Sequence, residues 1–207
     1  DEFGEIVREE LVKHGVEVHT EESLTEILGE GKATGVKTNK GEYPADLVIL
    51  ALGVKPATEL LKDSGAEFLK NGAVVVDSFS RTTIPDVYAG GDCASIYNKV
   101  KKQNVYLPLG TNANKQGRIA GGHIAGEKQA FKGVLGTSIL KVMNLSMGLT
   151  GLTEREAKEL GISYDTVLVK TSNHAGSYPG RKRITIKLVY EKDTQILLGA
   201  QMAGEDG

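Results

Sequence analysis

The sequence predicts an α/β chain that changes, over its last third, into an antiparallel α+β unit. Three observations predict it. Asp46-Leu47-Val48-Ile49-Leu50-Ala51 is a continuous apolar run, the kind buried on both faces of a parallel sheet. Val87-Tyr88-Ala89 is a shorter strand-like run that delivers Gly90-Gly91-Asp92 at its carboxyl end. Beyond residue 150 the pattern becomes one capped helix followed by three strands, two of them joined by a tight turn.

Taken in order, Ile6, Val7, Leu11 and Val12 share one face of a helix over about residues 1–14. Gly15 stops it in the left-handed position that suits glycine. Residues 15–19 alternate as a short strand. Residues 23–28 and 33–38 read as a hairpin around Gly29-Glu30-Gly31-Lys32. A turn at 39–42 leads through Tyr43 into the 46–51 strand, which ends at Gly53. Pro56 opens a new stretch in which Thr58 caps a short helix through Lys62. Asn71-Gly72 turns the chain into 73–77, and a helix spans about 112–125, closed by Gly126. Strands follow at 138–142 and 146–150. Thr153-Glu154-Arg155-Glu156 is a capping box, with Glu156 at the third helical position of a helix ending at Leu160-Gly161. The last strands are 165–170, 184–190 and 197–203, with the hairpin turn at Asp193-Thr194. Three pieces result, 1–54, 55–133 and 134–207.

The composition narrows the function classes. With 25 basic and 27 acidic residues the net charge is −2, so no basic field points to nucleic acid or anionic lipid. No apolar run is long enough to span a bilayer, and no signal peptide is visible. Cys93 is the single cysteine, which excludes an internal disulfide or CxxC pair and fits a reducing cytoplasmic setting. It reads as a small buried residue. His14, His19, His123 and His174 have no metal-ligand spacing, and residues 99–102 read as a solvated loop. Glycine stands at 26 residues of 207, above the usual ~7%, and gathers where strands end and helices begin. The opening on Asp1 and the close on Glu205-Asp206-Gly207 read as cuts through a larger protein.

Two segments carry chemistry. In Thr82-Thr83-Ile84-Pro85-Asp86-Val87-Tyr88-Ala89-Gly90-Gly91-Asp92, two residues without side chains let a bulky ligand lie against the backbone. An ionised Asp92 at a strand's carboxyl end can accept hydrogen bonds from a polyol such as ribitol. An exposed Asp in a turn is the competing reading. About twenty residues on comes Tyr106-Leu107-Pro108-Leu109-Gly110-Thr111-Asn112-Ala113-Asn114-Lys115-Gln116-Gly117-Arg118. A helix starting near Asn112 aims free N–H groups and a positive dipole end at an anion or a developing negative charge, such as the N1–C2 edge of a reduced flavin. A capped surface helix competes with that.

In this order the two segments resemble the pyridine nucleotide-disulfide oxidoreductases, in the branch of CoA-disulfide reductase, water-forming NADH oxidase and NADH peroxidase. The matching pieces are Ala51-Leu52-Gly53-Val54-Lys55-Pro56, Val76-Asp77, residues 82–94 and 107–122, Ser177-Tyr178-Pro179-Gly180, Lys187-Leu188-Val189-Tyr190 and Leu198-Gly199-Ala200-Gln201. The resemblance covers essentially the whole chain. It implies the C-terminal parts of two Rossmann-like domains, an NAD(P)-binding one over 1–54 and an FAD-binding one over 55–133. An α+β dimerisation domain follows over 134–207, stopping before the family's last interface helices.

The resemblance also implies roles. Gly91 and Asp92 bind FAD, Asp92 through its ribitol. Leu109, Thr111, Asn112 and Ala113 line the flavin ring, and Gly53 lies near the nicotinamide of NAD(P)H. Asn114 sits near the substrate pocket. Tyr178 reaches from the dimerisation domain toward the partner subunit's active site, which implies a homodimer. Arg181-Lys182-Arg183 read as a charged strand start, with attraction for an anionic substrate such as CoA as the other reading. The family's two glycine fingerprints and its early redox cysteine have no counterpart here, so no catalytic residue is expected in this chain. The implied activity is hydride transfer from NAD(P)H through FAD to a cysteine-based centre that reduces a disulfide, oxygen or peroxide. A catalytically inactive structural or dimerisation fragment is the alternative, as is part of a ferredoxin- or rubredoxin-type reductase.

Overall fold

The computed structural model describes residues 2–205; the chain ends read above as cuts fall on Asp1, Asp206 and Gly207, which lie outside the described residues. Helix α1 (Glu2–Lys13) is followed by β1 (Leu24–Leu28), β2 (Gly35–Thr38) and β3 (Glu42–Pro44), a three-stranded antiparallel sheet. Strands β4 (Ile96–Asn98) and β5 (Gln103–Val105) form a small ribbon that leads to helix α2 (Gly110–Ile124). Then come β6 (Ser138–Val142), β7 (Leu145–Gly151), α3 (Glu154–Glu159), β8 (Tyr164–Ser172), β9 (Arg183–Glu191) and β10 (Leu197–Glu205). These five strands make one antiparallel sheet in the order β6-β7-β10-β9-β8. The fold is mixed α/β, as the sequence predicts, with its antiparallel unit in the last third. Among the described residues no helix is long and apolar enough to cross a membrane.

The large sheet follows from alternation. Along β9, Lys187 and Val189 are buried, while Ile184, Ile186 and Leu188 point to the opposite face. Val189 packs with Leu152 and with Ala157 of α3. The capping box that starts α3 is complete: Thr153 accepts from the Glu156 N–H, and the Glu156 carboxylate accepts from the Thr153 N–H. Gly199 is where β10 passes closest to its neighbour, since a Cβ there would lie 2.0 Å from the Leu152 carbonyl oxygen.

Helix α1 docks on the same sheet. Phe3 is buried with Leu145 and Ala203, and Ile6, Val7 and Met147 pack around them. Both ends of this seam are polar. The Lys187 ammonium, 4% exposed as a residue, bonds both oxygens of Glu2 at 2.9 and 3.0 Å and also the Glu154 carboxylate. At the other end Glu10 is buried and accepts the Asn144 N–H at 3.1 Å. The apolar face expected of α1 is therefore shifted: Phe3 and Glu10 are its buried residues, and Val12 is half exposed.

Several local expectations are corrected. Residues 15–19 and 46–51 form no strands, and the second run is open to solvent, with Leu47 77% and Ile49 80% exposed. A strand exists only in a hydrogen-bonded pair, and neither run has a pairing partner among the described residues. Residues 87–89 hold one isolated bridge, Arg81 to Tyr88. The short helix after Pro56 is a single 3-10 turn (Glu59–Leu61), and the Thr58 hydroxyl donates to the Gly72 carbonyl instead of capping it. Helix α2 begins at Gly110, two residues before the expected start. Strands β4 and β5 were not foreseen. Their turn is not simply solvated: the Lys101 ammonium pairs with Glu156 at 2.6 Å, and Asn98 Oδ1 accepts the N–H groups of Val100 and Lys101. Cys93 is half-buried rather than buried, packed against the Val74, Val76 and Ala94 cluster.

Candidate functional site

The site is built where residues 88–92 run along α2. Two side chains of α2 hold that segment. Near the helix end, His123 Nδ1 meets the Tyr88 hydroxyl at 2.7 Å. Near its start, the Gln116 amide, 3% exposed as a residue, accepts the Gly91 N–H at 3.1 Å and donates to the Ser95 carbonyl at 2.7 Å. The bare backbone of Gly90 makes this approach possible, because a Cβ there would lie 3.2 Å from Gln116 Cβ. Behind the turn, Val74 and Ala94 form a parallel bridge, and Ser95 Oγ accepts the Val76 N–H at 3.1 Å. The segment before the turn is held just as closely: Asp77 takes Arg81 Nε at 2.7 Å and the N–H groups of Phe79 and Arg81. Burial acts to raise the Asp77 pKa, but these bonds outweigh it and hold the carboxyl below its usual range.

The geometry brings most of the expected site residues together. Gly91, with φ +91°, faces Ala113, whose Cβ would be 3.7 Å from a Cβ on the glycine. Leu109 precedes α2 in extended conformation and supplies no side-chain cap. Asn112 is buried, with its amide donating to the Leu107 carbonyl at 3.2 Å. Leu109, Thr111 and Asn112 line a cavity of about 290 Å³ with Lys115 and the chain from Gly133 to Thr137. The N–H groups of Gly110 and Thr111 have no hydrogen-bond partner among the described residues. Asp92 is exposed, and its carboxylate neither accepts a hydrogen bond nor joins an ion pair among them. Close by, the Tyr106 hydroxyl is buried without a partner, and burial, then the charges of Asp92 and Cys93, push its pKa up.

Three expected residues stand apart from this group. Gly53, with φ +88°, lies in the exposed stretch after residue 46, and a Cβ built on it would meet nothing within 4 Å. The Asn114 amide turns back on its own helix, donating to the Gly110 carbonyl at 2.9 Å. Tyr178 is 67% exposed and stands edge-on to His174, ring centroids 6.1 Å apart. Gln116 is the residue that sequence reasoning missed. The signal lay in the spacing Asn112, Gln116, Ile119 and His123, one helical face whose polar members point inward.

An uncapped helix start, a glycine turn against it and an unpartnered carboxylate beside both make a cradle for a ligand with an electron-rich edge and hydroxyl donors. The family model described as pyridine nucleotide-disulphide oxidoreductase matches residues 1–117, and the dimerisation domain of the same family matches residues 137–207. The NAD(P)H coenzyme A polysulfide/persulfide reductase of Pyrococcus horikoshii is 40% identical over 205 residues, 99% of this chain and 46% of the relative. An NADH oxidase of Enterococcus faecalis is 34% identical over 202 residues, 97% of this chain and 45% of the relative. Among solved structures, the NAD-dependent persulfide reductase from A. fulgidus superposes with a TM-score of 0.92 at 36% identity, covering 98% of this chain and 38% of that one. The chain thus spans about half the length of the curated relatives it matches. It belongs to the pyridine nucleotide-disulphide oxidoreductase family.

Proposed function

We propose that this chain is part of a homodimeric flavoprotein oxidoreductase that passes hydride from NAD(P)H through FAD to a cysteine-based centre, which reduces a disulfide such as CoA disulfide, or oxygen or peroxide. One observation carries the reading: the Gly90-Gly91-Asp92 turn converges on the uncapped start of α2, with Gln116 between them. The residues present fit FAD. The free Gly110 and Thr111 N–H groups suit an oxygen that gains negative charge. Asp92, with no partner of its own, suits the hydroxyls of a polyol. Gly91 leaves room for the ligand where Ala113 faces it.

In this reading Leu109, Thr111, Asn112 and Ala113 flank the ring system, and Gly53 lies on the nicotinamide side. Asn114 and Tyr178 serve the substrate, Tyr178 in a second copy. FAD, when bound, supplies a two-electron acceptor that takes hydride and gives the electrons onward. Within this chain Cys93 is the single cysteine, its thiol facing the Gly90 carbonyl at 3.6 Å, and it has no second thiol to pair with. In this reading the chain contributes cofactor and dimer contacts, and the cysteine-based centre lies elsewhere. Intact mass and visible absorption of the protein purified from its own source test this. A mass well above 22.1 kDa with oxidised-flavin bands upholds the reading. A mass at that value with no flavin band overturns it in favour of a non-catalytic dimerisation module.

A further inference from the structure

Gln116 sits in the second turn of α2, and both ends of its side-chain amide are engaged. Gly91 N–H can only donate and the Ser95 carbonyl can only accept, so the amide has one orientation: oxygen to Gly91, nitrogen to Ser95. The same residue's backbone carbonyl accepts the Ser80 hydroxyl at 3.4 Å. Gly90 lets the helix ride on the turn with no side chain between them. At the Gly91 end, the turn that carries Asp92 is tied to the helix that carries Thr111 through this one side-chain amide.

We infer that Gln116 is a positioning residue of the cofactor site, a two-ended clamp that sets the Gly91-Asp92 turn against the start of α2; the inference rests on the flavin reading above. The clamp needs one donor and one acceptor at the same side-chain end. A neutral carboxylic acid supplies both, and a carboxylate supplies only acceptors. Gln116→Glu is therefore a conditional mutant. Protonated, it keeps both bonds; ionised, it turns a negative oxygen on the Ser95 carbonyl and loses that one.

The test is amide hydrogen exchange of the whole protein as it exists in its source, and of its Gln116 variants, read residue by residue as protection relative to wild type at pH 5 and pH 8. Gln116→Glu should protect Gly91 as wild type does at pH 5. At pH 8 the lost Ser95 bond should loosen the side chain from the turn, and protection over residues 90–95 and the start of α2 should fall roughly tenfold, the equivalent of one net hydrogen bond. Gln116→Met, which supplies neither group, should lose that protection at both pH values, and it serves if the Glu variant does not fold at pH 8. Wild-type protection of residues 90–95 in Gln116→Met, or a loss spread equally through β6–β10, overturns the clamp. Titration of FAD into the same samples separates the two readings. A loosened turn with unchanged FAD affinity removes the cofactor role. Wild-type protein from that source that binds no FAD counts against the flavin reading and leaves the exchange data to decide the clamp.

Discussion

The sheet β6–β10 and the stretch 46–54 have similar sequence credentials and opposite fates. Both contain long apolar strand-like runs. In the sheet every strand finds its neighbours within the chain, α1 and α3 cover one face, and Leu152, Ala157 and Val189 lose all contact with water. In 46–54 no neighbour is present among the described residues, and Leu47, Ile49, Leu50, Leu52 and Val54 face solvent. Apolar character marks a segment as able to be buried. Whether it is buried depends on partners supplied by other parts of the chain.

The sharpest way to break this comparison is a cavity in each region. Leu152→Ala should cost about 2–5 kcal/mol, the range for a large buried aliphatic side chain, measured as the shift in urea unfolding followed by circular dichroism. A cost below about 1 kcal/mol would mean that the sheet is no better packed than the exposed run. Next comes Lys187, the buried cation between Glu2 and Glu154. Both carboxylates keep partial access to water, so Lys187→Ala loses the charged hydrogen bonds without stranding a buried charge, about 1.5–3 kcal/mol. Unfolding of α1 ahead of the sheet, seen by hydrogen exchange, would accompany it. Uniform loosening of both would show that the lysine serves the strand alone.

The Glu156 carboxylate tests the joint between the β4–β5 turn and α3. Burial acts to raise its pKa, but the bonds from Lys101 and Thr153 outweigh it, and the net shift is downward from 4.5. A lowered folded pKa means stability that is fully present above the unfolded value and lost as pH falls through the folded one. Wild type should therefore shed part of its stability in acid below about pH 4.5, and Glu156→Gln should show a flatter acid limb while keeping the cap. Glu156→Ala loses the reciprocal bond to the Thr153 N–H and the ion pair together, about 1–2 kcal/mol at neutral pH. Equal acid limbs in wild type and Glu156→Gln would remove the linkage. The smallest effect belongs to the open run. Leu47→Ser with Ile49→Ser should change unfolding stability by no more than about 0.5 kcal/mol while lowering binding of a hydrophobic dye. A large loss would place those side chains against something after all.

The same contrast explains what was legible in the sequence. The strands of the large sheet, the Thr153 capping box and the Gly126 stop of α2 are local signals with local consequences, and each is in place. The Gly-Gly-Asp turn and the α2 start were legible as separate motifs, because glycine pairs and uncapped helix starts speak through backbone chemistry. Their closeness is harder to read, since it depends on Gln116, a polar residue among polar neighbours whose inward face shows only in its spacing with Asn112, Ile119 and His123. Lys187 was hidden for the same reason: one lysine inside an apolar strand reads as an outward residue until α1 is laid over it. The strands β4 and β5 are three residues each, too short for a periodic pattern to declare itself.

The seam between α1 and the sheet also has a consequence in time. Lys187 and Glu2 are 185 residues apart in the chain. A twelve-residue helix has little stability alone in water, and the Lys187 and Ala203 half of its seam exists only once β9 and β10 are made. At ordinary synthesis rates that is a delay of roughly ten to forty seconds. The closing of this seam is therefore a late event in folding, timed by the last strands of the sheet and not by the helix.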